Sequence, residues 1–229
     1  MKNVLIVLQK TLWAYNKSTM AKTITITVQL NDATLQGRRS LKLSNSTCRL
    51  SIVPRGMMKD TLANPKLKEL MLDRYSLYIL LADMETGINS VYIGKARSFS
   101  DRVPDHLRTR DNWHTALIFN SSDPSFLTDT EINYLEHLGI KLAMELHPDQ
   151  TENLNIPAKP VISPEREDEV DDFFEDIKLL ASFYGCTIFE DSFSSEETIS
   201  PSDIPFTLSI PLESERDQVS AFLLWKTRI

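Results

Sequence analysis

The chain has 229 residues, of which 41% are hydrophobic and 25% charged, with six glycines, two cysteines and a formal net charge of −7. These are the values of an ordinary globular protein of one large or two small domains. They argue against a Gly-rich phosphate loop, and neither GxGxxG nor GxxxxGK[ST] occurs. Cys48 and Cys186 lie far apart; they could pair, but nothing suggests a disulfide scaffold or a thiolate metal site, and a reducing cytoplasm fits best.

The charge is unevenly placed. Residues 151–229 hold 17 Asp and Glu against 6 Lys and Arg, a balance of −11, whereas residues 1–150 hold 15 against 19, a balance of +4. A phosphate-binding surface therefore has room only in the front part of the chain. No segment reaches the length of a membrane span or a signal sequence, so no membrane partner is expected.

The first residues carry a short apolar run, Val4 to Leu8, and a second methionine, Met20, opens MAKTITITVQL. Residues 1–21 are expected to be an upstream extension, with little structure or docked on the body as an amphipathic segment. Residues 23–30 (TITITVQL) alternate β-branched side chains and predict a strand. Residues 41–43 and 49–53 are weaker strand candidates, and Pro54 ends this β unit. A short helix is expected over 64–72, with Pro65 at its first position. Residues 22–72 thus form an N-terminal β-rich unit.

Residues 76–82 (SLYILLA) and 91–94 (VYIG) predict a β-hairpin around a loop containing Gly87 and Asn89. Residues 98–109 predict a helix interrupted by Pro104, and residues 113–119 (WHTALIF) a third strand anchored by Trp113. Residues 128–146 carry the strongest helical pattern. Thr128 and Glu131 have capping-box spacing, and Ile132, Leu135, Gly139, Leu142, Ala143 and Leu146 share one face. A Pro-rich strap follows, then an acidic helix from Pro164 to about Tyr184 with Val170, Phe173, Phe174, Ile177, Leu180 and Ala181 on one face. Residues 190–205 read as a loop, and 206–210 and 221–225 as terminal strands.

Glu136 is out of place on the apolar face of residues 128–146. A buried carboxylate is costly unless it is paired or holds a cation. Glu136 is therefore a candidate metal ligand or a buried ion-pair partner. Upstream, Tyr78 and Tyr92 lie in the paired strands, and Arg102 and His106 are four apart, on one helical face.

Ser76-Leu77-Tyr78, then Tyr92-Ile93-Gly94-Lys95, then Arg102-x3-His106, then Tyr134-Leu135-Glu136 follow one another in an order that resembles the GIY-YIG nuclease family. NLNIPAKP and the acidic, Phe-containing helix further resemble a bacterial branch of that family. The resemblance implies an α+β fold, a small central antiparallel sheet flanked by helices. The nuclease core would occupy residues 73–156, between the N-terminal β unit and an acidic helical and β extension over 157–229.

It also implies a metal-dependent endonuclease that hydrolyses DNA phosphodiesters, with Mg²⁺, or Mn²⁺ in its place, held by Glu136. Tyr78 would orient or deprotonate the attacking water, helped by a cation such as Lys95, and Tyr92 would hold the nucleophile or the phosphate. Arg102 would stabilise the phosphate charge, His106 would orient Tyr78 or relay its proton, and Asn153, or equally Asn155, would support the end of the site. RNA as substrate, a catalytically weak or inactive binding or regulatory protein on the same fold, and a homodimer are all compatible with the residues.

Two positions depart from the family pattern. Ser76 stands where the motif has glycine, and Pro104 separates Arg102 from His106. If the helix begins at Pro104, Arg102 falls outside it and His106 lies in its first turn. If it runs through Pro104, a kink is expected. The bland readings are core tyrosines, a solvated basic stretch at Arg102, Arg108 and Arg110, a surface His137, and ordinary His114 and His147.

Overall fold

The computed structural model describes residues 2–8, 23–83 and 89–191. Seven strands lie in it: β1 (Lys2–Leu8), β2 (Ile24–Leu30), β3 (Arg39–Leu43), β4 (Cys48–Pro54), β5 (Ser76–Asp83), β6 (Asn89–Ala96) and β7 (Trp113–Ser121). They form one sheet in the order β1-β2-β3-β4-β7-β5-β6, and every pairing is antiparallel. Five helices flank it: α1 (Met58–Ala63), α2 (Pro65–Met71), α3 (Phe99–Thr109), α4 (Asp129–Leu146) and α5 (Pro164–Tyr184). The protein is of the α+β class.

The β unit over 22–55 is not a separate sheet. β4 pairs with β7 along its whole length, from Cys48 opposite Ser121 to Pro54 opposite Thr115. β7 is an apolar central strand whose N–H and C=O groups need partners on both sides. β5 fills one side and β4 the other. Of the two expectations for the first residues, residues 2–8 follow docking on the body rather than little structure: the backbone of β1 pairs with β2 from Lys2 opposite Leu30 to Leu8 opposite Ile24. The expected terminal strands, 206–210 and 221–225, lie outside the described residues.

The sheet separates two cores. Leu77, Ile79, Leu117 and Phe119 point to α4 and α5, against Ile132, Leu135, Val170 and Phe173. Tyr78, Leu80, Ala116 and Ile118 point the other way, against Met58, Met71, Phe99 and Val103 of α1, α2 and α3. Because β5 and β7 are buried on both faces, their sequences are apolar runs rather than alternations. All six apolar residues expected on one face of α5 are buried, and α5 packs on β4 and α4.

The helix ends follow local chemistry. Asn64 caps α2 by accepting from the amides of Lys66 and Leu67, and Thr128 with Glu131 forms the capping box of α4. Glu131 also receives a bond from Arg166 Nε at 3.1 Å. Gly185, at φ 99°, closes α5 in the left-handed region that glycine tolerates. Helix α1, six residues long, was not expected; it is held by the buried Met58 and Thr61 rather than by a side-chain cap. Among the described residues no helix is long and apolar enough to cross a membrane. Cys48 and Cys186 are buried free thiols.

Candidate active site

β5 places Tyr78 opposite Gly94 of β6. The Tyr78 ring lies over that glycine: a Cβ on Gly94 would stand 2.5 Å from its Cζ and Oη. Any other residue at 94 would displace the ring. This gives the glycine of the Tyr-Ile-Gly motif a mechanical role, the close approach of a side chain to bare backbone.

Above this pair lies α3. Its N-cap is Ser98 and it continues unbroken through Pro104 to Thr109. Both Arg102 and His106 are therefore helical, and His106 is in the last turn rather than the first. Pro104 is exposed, so its ring costs the helix one backbone hydrogen bond without entering the core. Burial of Phe99 and Val103 against the sheet fixes the helix despite the proline.

His106 Nε2 lies 2.8 Å from the Tyr78 hydroxyl. The ring centroids are 5.4 Å apart for Tyr78 and His106, 5.6 Å for Tyr92 and His106, and 6.3 Å for the two tyrosines. Phe99 closes the apolar side, 4.8 Å from the Tyr78 ring. Burial, then the nearby Arg110 and Arg102, lower the His106 pKa. A neutral imidazole donates at one nitrogen and accepts at the other, so the tautomer of His106 sets the direction of its bond with the Tyr78 hydroxyl.

Tyr78 itself is shifted upward, first by burial and then by Tyr92, with Glu136 adding to the rise and Arg102 and Arg110 opposing it. The phenol is therefore protonated at neutral pH, and Lys95 does not activate it as expected. Lys95 follows Gly94 on the opposite face of β6 and reaches α4, where its Nζ donates to Glu136 Oε2 at 2.6 Å. The pair is partly buried, with 33% of the lysine and 14% of the glutamate side chain accessible. Of the two readings of Glu136, this geometry is the ion pair. The charges of Glu136 and Arg102 both reach Tyr78 through space, and Arg102 is exposed.

Asn153 does not join the tyrosine cluster. Its side chain accepts from the Ile93 amide at 2.9 Å and donates to the Ile93 carbonyl at 2.8 Å. It thereby occupies the outer edge of β6 as a neighbouring strand would, beside a parallel bridge between Val91 and Thr151. Asn155 is exposed.

Two residues of the cluster were not singled out from the sequence. Arg110, grouped there with a solvated basic stretch, stacks its guanidinium 3.8 Å from the Tyr92 ring centroid. Its Nη1 donates to Glu152 Oε2 at 2.6 Å, and Glu152 Oε1 accepts from Ser90 and Asn112, each at 2.8 Å. The available signal was spacing: Arg110 follows His106 by four, one helical turn. Arg108, by contrast, is exposed and pairs with Asp105, as a solvated arginine does. His137 is half-buried rather than on the surface, its Nδ1 2.7 Å from the Pro157 carbonyl.

The arrangement offers a protonated phenol bonded to a neutral imidazole, a second tyrosine held by an arginine, and a carboxylate bound to a lysine. Among the described residues no group of three or more His, Cys, Asp or Glu side chains converges on a common metal position. Comparisons with known protein families, with curated proteins and with solved structures return no match.

Proposed function

We propose that the chain is a GIY-YIG-type endonuclease that hydrolyses DNA phosphodiester bonds with the help of a divalent cation. The observation that carries this reading is the Tyr78–His106 hydrogen bond of 2.8 Å, beside the Tyr92 ring and within reach of the charges of Arg102 and Arg110. In that reading Tyr78 gives its phenolic proton to His106 Nε2 while the attacking water gives a proton to the Tyr78 oxygen. The water oxygen bonds to phosphorus as the ester oxygen leaves. Arg102 and Arg110 offset the charge that gathers on the phosphate, and Tyr92 holds the nucleophile or a phosphate oxygen by its hydroxyl.

The donor set suits a hard cation in a minimal way. Lys95 occupies only one oxygen of Glu136, leaving Oε1 to bind metal. Mg²⁺ accepts sites of one or two carboxylates completed by water and substrate phosphate. Glu136 would hold Mg²⁺ or Mn²⁺, and the ion would supply Lewis-acid stabilisation of phosphate oxygens.

One observation favours a second reading, a nucleic-acid-binding protein without cleavage: the closed Lys95–Glu136 pair needs no metal. Incubating supercoiled DNA with the protein in Mg²⁺ or in EDTA, beside Glu136→Gln, separates the two. Nicking that requires both Mg²⁺ and Glu136 supports the nuclease. Binding without nicking supports the second reading. A matched RNA substrate in the same assay decides between the nucleic acids.

A further inference from the structure

Glu152 gathers hydrogen bonds from two separate parts of the chain. Its Oε2 accepts from Arg110 Nη1 at 2.6 Å, and its Oε1 accepts from Ser90 Oγ and Asn112 Nδ2, each at 2.8 Å. Ser90 belongs to β6, whereas Arg110 and Asn112 lie in the connection between α3 and β7. Only 30% of the Arg110 side chain and 23% of the Glu152 side chain are accessible, so water and salt screen this pair less than an exposed one.

The backbone fixes where the carboxylate stands. The Glu152 amide donates to the Val91 carbonyl at 2.8 Å, Thr151 bridges to Val91, and Asn153 holds Ile93. Residues 151–153 thus follow the outer edge of β6 as a neighbouring strand would. Ser90 and Tyr92 are two apart in β6 and share one face. The bond from Ser90 therefore turns the Glu152 side chain toward the face that carries Tyr92.

Arg110 links this carboxylate to the tyrosine and the histidine. Its guanidinium lies 3.8 Å from the Tyr92 ring centroid, and the Tyr92 ring lies 5.6 Å from that of His106. A cation–π stack at a partly exposed site contributes less than the rotamer freedom that an arginine loses when it is fixed. The stack alone does not hold Arg110 over Tyr92. A charge-assisted bond to a carboxylate that is itself held by Ser90 and Asn112 does. The charged and titratable groups facing His106 are Tyr78 of β5, Tyr92 of β6, Arg102 and Asp105 of α3, and Arg110 just beyond it.

We infer that Glu152 is a positioning residue of the Tyr78–Tyr92–His106 cluster: it fixes the Arg110 guanidinium against Tyr92 and so sets the charge beside His106. This holds without any nucleic acid. Its bearing on catalysis rests on the nuclease reading, in which Arg110 offsets charge on the phosphate.

NMR titration of the full-length wild type, Glu152→Ala, Arg110→Gln and the double variant tests this. The Tyr92 ring should shift the Arg110 Hδ signals upfield in the wild type, and Glu152→Ala should abolish that shift. The two roles open to Glu152 move His106 in opposite directions. A carboxylate acting only by its own charge favours the imidazolium, so its removal would lower the His106 pKa. A carboxylate that holds a cation near His106 has the reverse effect. Glu152→Ala should therefore raise the His106 pKa toward its value in Arg110→Gln, and the double variant should show no further rise. Glu152→Gln, which keeps the size of the side chain, carries the test if the alanine variant does not fold, with a smaller rise expected. Arg110 signals that stay upfield in the Glu152 variants, or a His106 pKa that falls in them, overturn the inference. Nicking of supercoiled DNA at matched folded fractions reads the catalytic consequence separately. Glu152→Ala should nick at least about tenfold more slowly than the wild type. A wild type that does not nick overturns the nuclease reading, and the NMR results alone then decide the role of Glu152.

Discussion

The Tyr78 hydroxyl lies 2.8 Å from His106 Nε2, and it reaches that position because the ring passes over the bare backbone of Gly94. Gly94→Ala would bring a Cβ to 2.5 Å from the phenol. Because Tyr78 is packed against Phe99 and β6, the ring cannot move without disturbing the core. Gly94→Ala should therefore cost about 1–3 kcal/mol by overpacking. Denaturant unfolding checks the stability, and loss of the His106 contact should appear as a rise of the His106 pKa by NMR.

His106 makes the site pH-dependent. Its pKa is lowered by burial, Arg110 and Arg102, so its folded value lies below the free value of about 6.5. At pH 7 the imidazole is neutral and shares a hydrogen bond with the Tyr78 hydroxyl. As pH falls below about 6.5 the unfolded chain takes up the proton first. The stability contributed by neutral His106 is therefore present above that value and is lost as pH falls through the folded pKa. Cleavage should decline over the same window. Arg110→Gln removes a cause of the depression, so the acidic limb of its pH–rate profile should move to higher pH. An unmoved limb would show that Arg110 does not act on His106.

The Lys95–Glu136 pair can be taken apart by mutation. Lys95→Met leaves a partly buried carboxylate without its partner and should destabilise by about 1–3 kcal/mol. Glu136→Gln, which keeps a hydrogen-bond acceptor near Lys95, should fold with nearly unchanged stability while losing Mg²⁺-dependent nicking. Equal destabilisation by both substitutions would mean that the pair, rather than the unpaired carboxylate, carries the energy. Thermal unfolding of the two variants with and without Mg²⁺ distinguishes these results.

Asn153 holds the outer edge of β6 by two bonds to Ile93. Asn153→Ala should cost about 1–2 kcal/mol and speed hydrogen exchange at the Ile93 amide, with a smaller effect on His106. Exchange unchanged at Ile93 would contradict the support role.

Much of this fold was readable because its elements are locally consistent. The Thr128–Glu131 capping box, Asn64 before Pro65 and the apolar face of α5 each state their element through the residues that need it. The pairing of β4 with β7 was not readable, because nothing local to Cys48–Pro54 names its partner across the 58 positions between Pro54 and Trp113. Helix α1 was missed because six residues held by Met58 and Thr61 carry no cap or periodicity. Tyr78, Tyr92 and His106, whose rings lie together, were named through an ordered motif, as was Glu136, which pairs with Lys95 on the other face of β6. Arg110 was hidden because an arginine in a basic stretch is indistinguishable from a solvated one until Glu152, 42 residues on, is brought beside it. The role of Pro104 was open because sequence shows a broken hydrogen bond but not the packing of Phe99 and Val103 that outweighs it.

Deleting residues 163–229 removes α5 and uncovers the apolar surface of β4 and α4 that Val170, Phe173, Phe174 and Ile177 bury. The truncated chain should be poorly soluble. Phe173→Ala alone should cost about 3–5 kcal/mol. A soluble truncation with native stability would show that α5 is dispensable to the core, and size-exclusion chromatography with calorimetric unfolding reads both outcomes.

In the proposed reaction the Tyr78 hydroxyl takes part in breaking a DNA phosphodiester bond. Tyr78→Phe keeps the ring over Gly94 and removes only the oxygen that bonds His106, so the fold should survive with a loss of about 1 kcal/mol. The most direct measurement is the nicking rate of supercoiled DNA in Mg²⁺ for the wild type and Tyr78→Phe, at matched folded fractions. The wild type should nick, and the variant should be slower by at least about a hundredfold. A Tyr78→Phe protein that nicks DNA at the wild-type rate would mean that the Tyr78 hydroxyl takes no part in cleavage.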